Sequence, residues 1–290
     1  MKPIGIIGYG SLGASLAHAL NAAGLLSWIY IRNEEARIQA AELEVPICTS
    51  LSDIPIAHHS IILAIPDSAI KDVSDLIHAM HIGKGCYALI HCSGSLTSEI
   101  LVGKDSSIAT IAMHPFQTIV SCEDLPNIPW GYQCEEENAE YVVSLIQTLR
   151  GIPHELSKQA IEHKALYHAT AVASANLLQM LIALTSEMAK EAGIPSEIFL
   201  PTIQSTSVKR AHAALIDGHS PLDQLTGPLI RCDVETIIAN RSAIKSIPGM
   251  DEVYVAICKA IIPQLLGMKH LSEDDAITLQ DALNIKVFER

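Results

Sequence analysis

An α/β fold is what this sequence predicts: an N-terminal dinucleotide-binding domain followed by an all-α C-terminal domain. Three observations predict it. A glycine-rich turn, GYGSLG at 8–13, sits directly behind the apolar run Ile4-Gly5-Ile6-Ile7. Short apolar runs alternate with helical patterns through the first half, as a parallel sheet with crossover helices requires. After about residue 157 the alternation stops and helical periodicity alone continues.

The turn comes first because it carries the most. In a Rossmann βαβ unit the first glycine permits the tight turn, the second lets the backbone approach a pyrophosphate, and the third lets helix pack on strand. Gly8, Gly10 and Gly13 hold those places, with Tyr9, Ser11 and Leu12 completing the loop. The predicted helix over 11–23 would present free amides and the positive end of its dipole to the phosphates. Strands are expected at 3–7, 27–31, 60–65, 87–91 and 108–113, with weaker ones near 131–134 and 154–156. Helices are expected between them at 34–43, 68–80 and 137–149. Pro66-Asp67 closes the third of the strong strands, where a switch-point loop would face a nicotinamide, and Ile65 and Pro66 are assigned to cofactor binding. In the second half one long helix is expected over 159–192, stopped by Gly193 and Pro195. Shorter helices follow at 196–217, 222–225, 232–242, 251–266 and 274–285. The expected organisation is a cofactor domain over 1–157 and a helical substrate and dimerisation domain over 158–290.

Composition narrows the function classes. A net charge of −13 opposes phosphate backbones and anionic lipid, so neither nucleic acid nor membrane is an expected partner. The seven cysteines include no CxxC pair, so no zinc ribbon or dithiol site is signalled and no metal is expected. Buried free thiols in a reducing compartment are the expectation instead. The N-terminus enters a strand at once, which gives no secretory pattern and points to the cytoplasm. Residues 165–186 carry no charge and are long enough to span a bilayer. His168, Thr170, Ser174, Asn176, Gln179 and Thr185 make that stretch too polar for a lipid-facing span. A helix covered by protein fits better, and a homodimer interface is the default cover, an intramolecular one the alternative.

The cofactor reading rests on the end of the second strand. NAD-binding chains place an acidic residue there for the ribose 2′-hydroxyl, and NADP-binding chains an arginine for the 2′-phosphate. Here the chain reads Ile31-Arg32-Asn33, which favours NADP(H), with Arg37 one turn on as a second cation. Arg32 as an ordinary solvated charge is the competing reading.

Hydride transfer to a carbonyl leaves negative charge on oxygen, so a proton donor and orienting groups are needed. Lys164 and His168, four residues apart on one helix face at the domain junction, are the leading pair. A partly desolvated lysine there would have a lowered pKa and could protonate an alkoxide. A solvated surface lysine beside a capping histidine stands against that. Ser93, in the small-residue turn after the fourth strong strand, is the third catalytic candidate. Substrate contacts are further assigned to His114, Asn176, Thr226, Arg231 and Asp233. Arg231 could grip a carboxylate, or pair with Asp233 while Asp233 caps a helix. His114 and Asn176 have structural roles as alternatives.

These segments carry a resemblance. With GYGSLG stand AIPDSAI (64–70), HCSGSL (91–96), AMHPFQT (112–118), HKALYHATAVASANLL (163–178) and LTGPLIRCDVETI (225–237). Together, along essentially the whole chain, they resemble the bacterial Rossmann-like proteins that end in a helical domain of unknown function, number 2520. The resemblance implies an NADPH-linked reductase. Some members are divergent ketopantoate reductases, which serve pantothenate biosynthesis, and the family is similar to pyrroline-5-carboxylate reductase and β-hydroxyacid dehydrogenases. Ordinary ketopantoate reductases and β-hydroxyacid dehydrogenases carry, near the domain junction, a catalytic Lys with Asn four residues later. Lys164 fits the lysine, and His168 stands where the asparagine would. The expected activity is reduction of a small 2-oxo acid, ketopantoate first, with a pyrroline-5-carboxylate-type imine reductase and a non-catalytic NADP-binding regulator as rivals.

Overall fold

The computed structural model describes residues 1–55, 59–82, 85–103 and 108–285. The chain divides into two compact units, 1–178 and 179–290.

The first unit is built on one sheet of β1 (Ile4–Ile7), β2 (Leu26–Tyr30), β3 (Ile47–Cys48), β4 (Ser60–Leu63), β5 (Ala88–His91), β6 (Ala109–Pro115), β7 (Pro129–Gln133) and β8 (Ile152–Glu155). Their order across the sheet is 3-2-1-4-5-6-7-8. Helices α1 (Ser11–Ala22), α2 (Glu34–Ala40), α3 (Asp67–Ala79) and α4 (Ala139–Thr148) lie between strands in sequence. A sheet covered on both faces needs strands apolar on both faces. Ile6 and Ile62 therefore pack with Leu16, Leu20 and Leu145 of α1 and α4 on one side. Ile7, Ile61 and Leu63 pack with Ile70 and Ile77 of α3 on the other. Trp28 joins that second face by lying across Gly5, where a Cβ would come 2.0 Å from its indole.

Two features of the sheet depart from the expectation. The two-residue β3 beside β2 has too short an apolar signal to be seen in sequence. β6 and β7 pair antiparallel, although every other neighbouring pair is parallel. Only one short 3-10 turn, Cys122–Asp124, lies between them, so the chain turns back without a crossover helix.

The helix expected over 159–192 is interrupted. α5 (Lys158–Glu162) ends at His163, whose φ of −113° and ψ of 40° break the helical path. A new helix then runs over Lys164–Glu191, as α6 (Lys164–Val172), a π-turn at Ala173–Leu177 and α7 (Leu178–Glu191). Neither proline nor glycine marks the break. Tertiary packing overrides propensity here: Lys164 is buried and Tyr167 lies on Gly131 of β7, where a Cβ would come 2.2 Å from the phenol oxygen. Among the described residues, the Lys164–Glu191 helix alone is long and apolar enough to cross a membrane.

The second unit contains α8 (Ser196–Gln204), α9 (His212–Ile216), α10 (Val234–Ile244), α11 (Met250–Gly267) and α12 (Glu273–Asn284). A π-turn at Ser205–Ala211 joins α8 to α9, close behind Pro201, which removes a helical N–H. Ile237, Ile262, Leu265, Leu279 and Leu283 form the core of α10–α12. Arg241 crosses it, with Nε and Nη2 on the two oxygens of Asp251 at 2.8 and 3.0 Å. Its Nη1 donates to the carbonyls of Ala282 and Ile285, both at 3.0 Å, which satisfies the C-terminal end of α12.

Candidate active site

In the first unit the carboxyl ends of β1, β4, β5 and β6 point the same way, because those four strands are parallel. The strand order reverses beside β1, and ligands in such sheets bind at that switch point. A cleft of about 1200 Å³ opens there, lined by Gly8, Tyr9, Gly10, Ser11, Leu12, Gly13, Arg32, Asn33, Ile65, Pro66, Asp67 and Ser93 among others.

The three glycines of the turn differ in what holds them. Gly8 has a φ of +105°, and a Cβ would come 2.3 Å from the Ala64 carbonyl oxygen. A Cβ on Gly13 would come 2.3 Å from the Gly8 carbonyl oxygen. The folded chain itself thus requires both. Around Gly10 a Cβ would meet nothing within 4 Å. Gly10 is the N-cap of α1 and supplies no side-chain cap, which leaves the amides of the first turn free for an anion. This open cradle on a helix N-terminus fits a pyrophosphate. Arg32 lies exposed on the cleft with no ion-pair partner among the described residues. The Asn33 Oδ1 accepts the Ala36 N–H at 3.1 Å and so caps α2, while its amide nitrogen has no hydrogen-bond partner among the described residues.

Beyond the glycine turn, Asp67 opens α3 directly after Pro66. Its Oδ2 accepts both the Ser93 and Ser95 hydroxyls at 2.7 Å. The Ser93 oxygen in turn accepts the amides of Ser95 and Leu96, each at 3.1 Å. Behind them the His91 Nδ1 accepts the Ser93 N–H at 3.1 Å, so its Nε2 carries the proton and donates to the Thr97 carbonyl. Burial pulls the His91 pKa down from 6.5 to about 4, and the ring is neutral. The Ser93 hydroxyl on the cleft is thus held by the Asp67 carboxylate and by two backbone amides.

Lys164 begins α6 and is only 4% exposed. Its Nζ makes no hydrogen bond among the described residues and stands 4.9 Å from the centre of the Tyr167 ring. Burial lowers its pKa from 10.5 to about 8, against the upward pull of the Asp67 and Glu99 carboxylates. A cation–π contact of this kind is worth up to about 2 kcal/mol when desolvated, which only partly offsets the lost hydration. His114, at the end of β6, shares a hydrogen bond of 3.2 Å between its Nδ1 and the Tyr167 hydroxyl. Its ring lies edge-on to that of His168, with centres 5.3 Å apart. Both imidazoles close on Gly94, where a Cβ would come 2.4 Å from the His168 Nδ1 and 2.8 Å from the His114 Nε2. The His168 Nδ1 is sealed from solvent and has no hydrogen-bond partner among the described residues.

The first unit thus assembles Lys164, His168, Ser93 and His114 around Gly94 and Asp67. Asn176 belongs to the π-turn farther along the same helix, and its side chain makes no hydrogen bond among the described residues. Thr226, Arg231 and Asp233 belong to the second unit. There Asp233 caps α10 by accepting the Thr236 N–H at 3.1 Å and hydroxyl at 2.8 Å. Arg231 is exposed and makes no ion pair with it. Sequence reasoning put Asp67 in the switch-point loop but gave it no role, and it missed Ser95 and Tyr167. Tyr167 was visible as the i+3 neighbour of Lys164 on one helix face, and Asp67 as the residue that follows Pro66.

Known proteins share this geometry. Residues 3–85 match the family described as NADP oxidoreductase, coenzyme F420-dependent. Residues 128–261 match domain of unknown function 2520. No curated protein matches the chain. Among solved structures, the chain is similar to a proposed NADP oxidoreductase from Bacteroides fragilis, at 25% identity and a TM-score of 0.69, over 90% of this chain and 97% of that one. The fold also resembles Plasmodium falciparum pyrroline carboxylate reductase with NADP bound, at 15% identity and a TM-score of 0.55, over 98% and 100% of the two chains. An imine reductase from Aspergillus terreus, bound to NADPH4 and dibenz[c,e]azepine, shares the fold at 12% identity and a TM-score of 0.60, over 97% and 99%. With its glycine cradle, its switch-point cleft and both matches, the chain has the Rossmann-like NADP oxidoreductase fold, joined to a region that matches domain of unknown function 2520.

Proposed function

We propose that this oxidoreductase reduces a small 2-oxo acid, with ketopantoate to pantoate as the leading reaction, and that Lys164 supplies the proton. The observation that carries the reading is a buried, unpartnered ammonium beside the cleft. Such a group is costly to maintain and gains its partner only when a substrate oxygen arrives. Gly8, Gly10 and Gly13 would hold the pyrophosphate on the N-terminus of α1, and Arg32 the 2′-phosphate. When bound, NADPH supplies a hydride to the substrate carbonyl carbon. Lys164 then gives a proton from Nζ to the carbonyl oxygen, which becomes a hydroxyl, and the neutral amine takes a proton back from solvent. Ser93, fixed by Asp67 and two backbone amides, and His168 orient the substrate.

Lys164→Ala is expected to abolish turnover of ketopantoate while NADPH affinity, measured by fluorescence titration, stays nearly unchanged. Undiminished turnover would remove Lys164 from the mechanism. A C=N reductase is the second reading, favoured by the Asp67 carboxylate on the cleft, whose charge suits an iminium. An iminium already carries its proton, so activity that survives Lys164→Ala favours that reading. NADPH bound but not consumed with either substrate class would favour a non-catalytic role.

The same reading includes a homodimer in the cytoplasm. Leu166, Leu177 and Met180 on the Lys164–Glu191 helix are 66%, 54% and 59% exposed, an apolar face that a second copy would cover. Sedimentation as a dimer at micromolar concentration is expected, and a monomer would contradict it.

A further inference from the structure

Tyr167 and His114 form a pair that proton delivery by Lys164 leaves unused. The Tyr167 hydroxyl has one hydrogen-bond partner among the described residues, the Nδ1 of His114 at 3.2 Å. A phenol contributes one donor, and a partly buried donor left unpaired costs more than a spare lone pair. The hydroxyl therefore donates and the Nδ1 accepts. An imidazole that accepts at Nδ1 while neutral must carry its proton on Nε2. That nitrogen has no hydrogen-bond partner among the described residues, yet it is not among the sealed polar atoms. It packs against Gly94 in the turn that carries Ser93, next to Asp67 of the cleft.

We infer that Tyr167 is a positioning residue that fixes His114 in its Nε2–H tautomer, so that His114 donates a neutral hydrogen bond to the substrate oxygen that Lys164 protonates. This inference rests on the reductase reading above and deepens it. The charge states agree with the geometry. Burial, with His168 and the Lys164 ammonium beside it, pushes the His114 pKa down to about 3. Burial pushes the Tyr167 phenol up to about 12. The pair therefore holds both its protons across the working pH range. A neutral donor suits this place better than an imidazolium, because a second cation beside Lys164 would further destabilise its charged, proton-donating form. It also stabilises negative charge growing on oxygen without competing to transfer a proton.

The test uses the full-length protein labelled with ¹⁵N, with His114 assigned by comparison with His114→Gln. Long-range proton–nitrogen correlation is expected to show His114 as the Nε2–H tautomer in the wild type. In Tyr167→Phe it is expected as a mixture of tautomers. A wild-type Nδ1–H tautomer, or a tautomer unmoved by Tyr167→Phe, would overturn the inference whatever the substrate. The kinetic arm uses ketopantoate and NADPH. Tyr167→Phe is expected to lower kcat by about 10-fold to 100-fold with little change in the KM for NADPH. His114→Gln, which keeps a neutral N–H donor near the Nε2 position, should retain more of kcat than His114→Ala. Equal losses in those two variants would overturn the donor role. Failure of the 2-oxo acid reading looks different: no turnover by any variant, with the wild-type tautomer and its response to Tyr167→Phe intact.

Discussion

At the scale of single residues, the three glycines of the chain's first turn, Gly8, Gly10 and Gly13, separate folding from binding. Gly8→Ala forces an L side chain to a φ of +105° and 2.3 Å from a backbone oxygen, so it should destabilise the first unit by more than ~1 kcal/mol. Gly10→Ala meets nothing within 4 Å and should fold with stability changed by less than about 0.5 kcal/mol. Its methyl would stand where a pyrophosphate approaches, and NADPH affinity should fall at least about tenfold, or ~1.4 kcal/mol. Denaturant unfolding and NADPH titration of both variants check this, and undiminished affinity in a folded Gly10→Ala protein would remove the cradle. Lys164 carries a second residue-scale prediction. With its pKa near 8, the charged form that gives the proton is lost as pH rises through that value. The kcat/KM for a carbonyl substrate should then fall above about pH 8, by about tenfold per unit. Lys164→Arg, which cannot release its proton, should be inactive at every pH, and an activity that stays flat to about pH 10 in the wild type would contradict the assignment.

At the scale of elements, what was legible depended on whether local sequence or distant packing decides the backbone. The five strong strands are mostly apolar runs bounded by turn residues, and the glycine turn announces α1 directly, so these were readable. The break at His163 was not, because no glycine or proline causes it. Its causes are the burial of Lys164 and the seat of Tyr167 on Gly131, a residue more than thirty positions away. The antiparallel pairing of β6 and β7 likewise follows from the missing crossover helix, a fact about the loop rather than the strands. In the candidate site the histidines and lysine were legible by type and place. The Asp67 fork on Ser93 and Ser95 was not, since it joins residues 26 and 28 positions apart. Arg241 is the corresponding case in the second unit. Its side chain is 6% exposed, and it is the hub that ties α10 to α11 and to the end of α12. Asp251→Ala leaves that guanidinium without its counter-charge and should cost about 3–5 kcal/mol in a urea unfolding series. A loss below about 1 kcal/mol would show the pair to be solvated.

At the scale of the whole molecule, the neutral histidines under the cleft make stability depend on pH. Burial lowers His91 from 6.5 to about 4 and His114 from 6.5 to about 3. Below the unfolded value of 6.5 the unfolded chain takes up protons that the folded chain refuses, so stability falls as pH falls. The slope approaches ~1.4 kcal/mol per pH unit for each histidine, until the folded values are reached. The urea midpoint should therefore drop between neutral pH and about pH 5, and less steeply in His91→Asn. A midpoint independent of pH over that range would mean that the rings are hydrated. The same burial leaves Lys164 poised as a sealed cation without a hydrogen bond among the described residues. Whether that arrangement performs carbonyl chemistry is decided by following NADPH consumption by the purified protein with ketopantoate, beside pyrroline-5-carboxylate and a blank without substrate. Saturable consumption with ketopantoate, absent from the blank and lost in Lys164→Ala, is the expected result. Consumption with pyrroline-5-carboxylate alone, undiminished in Lys164→Ala, would contradict it.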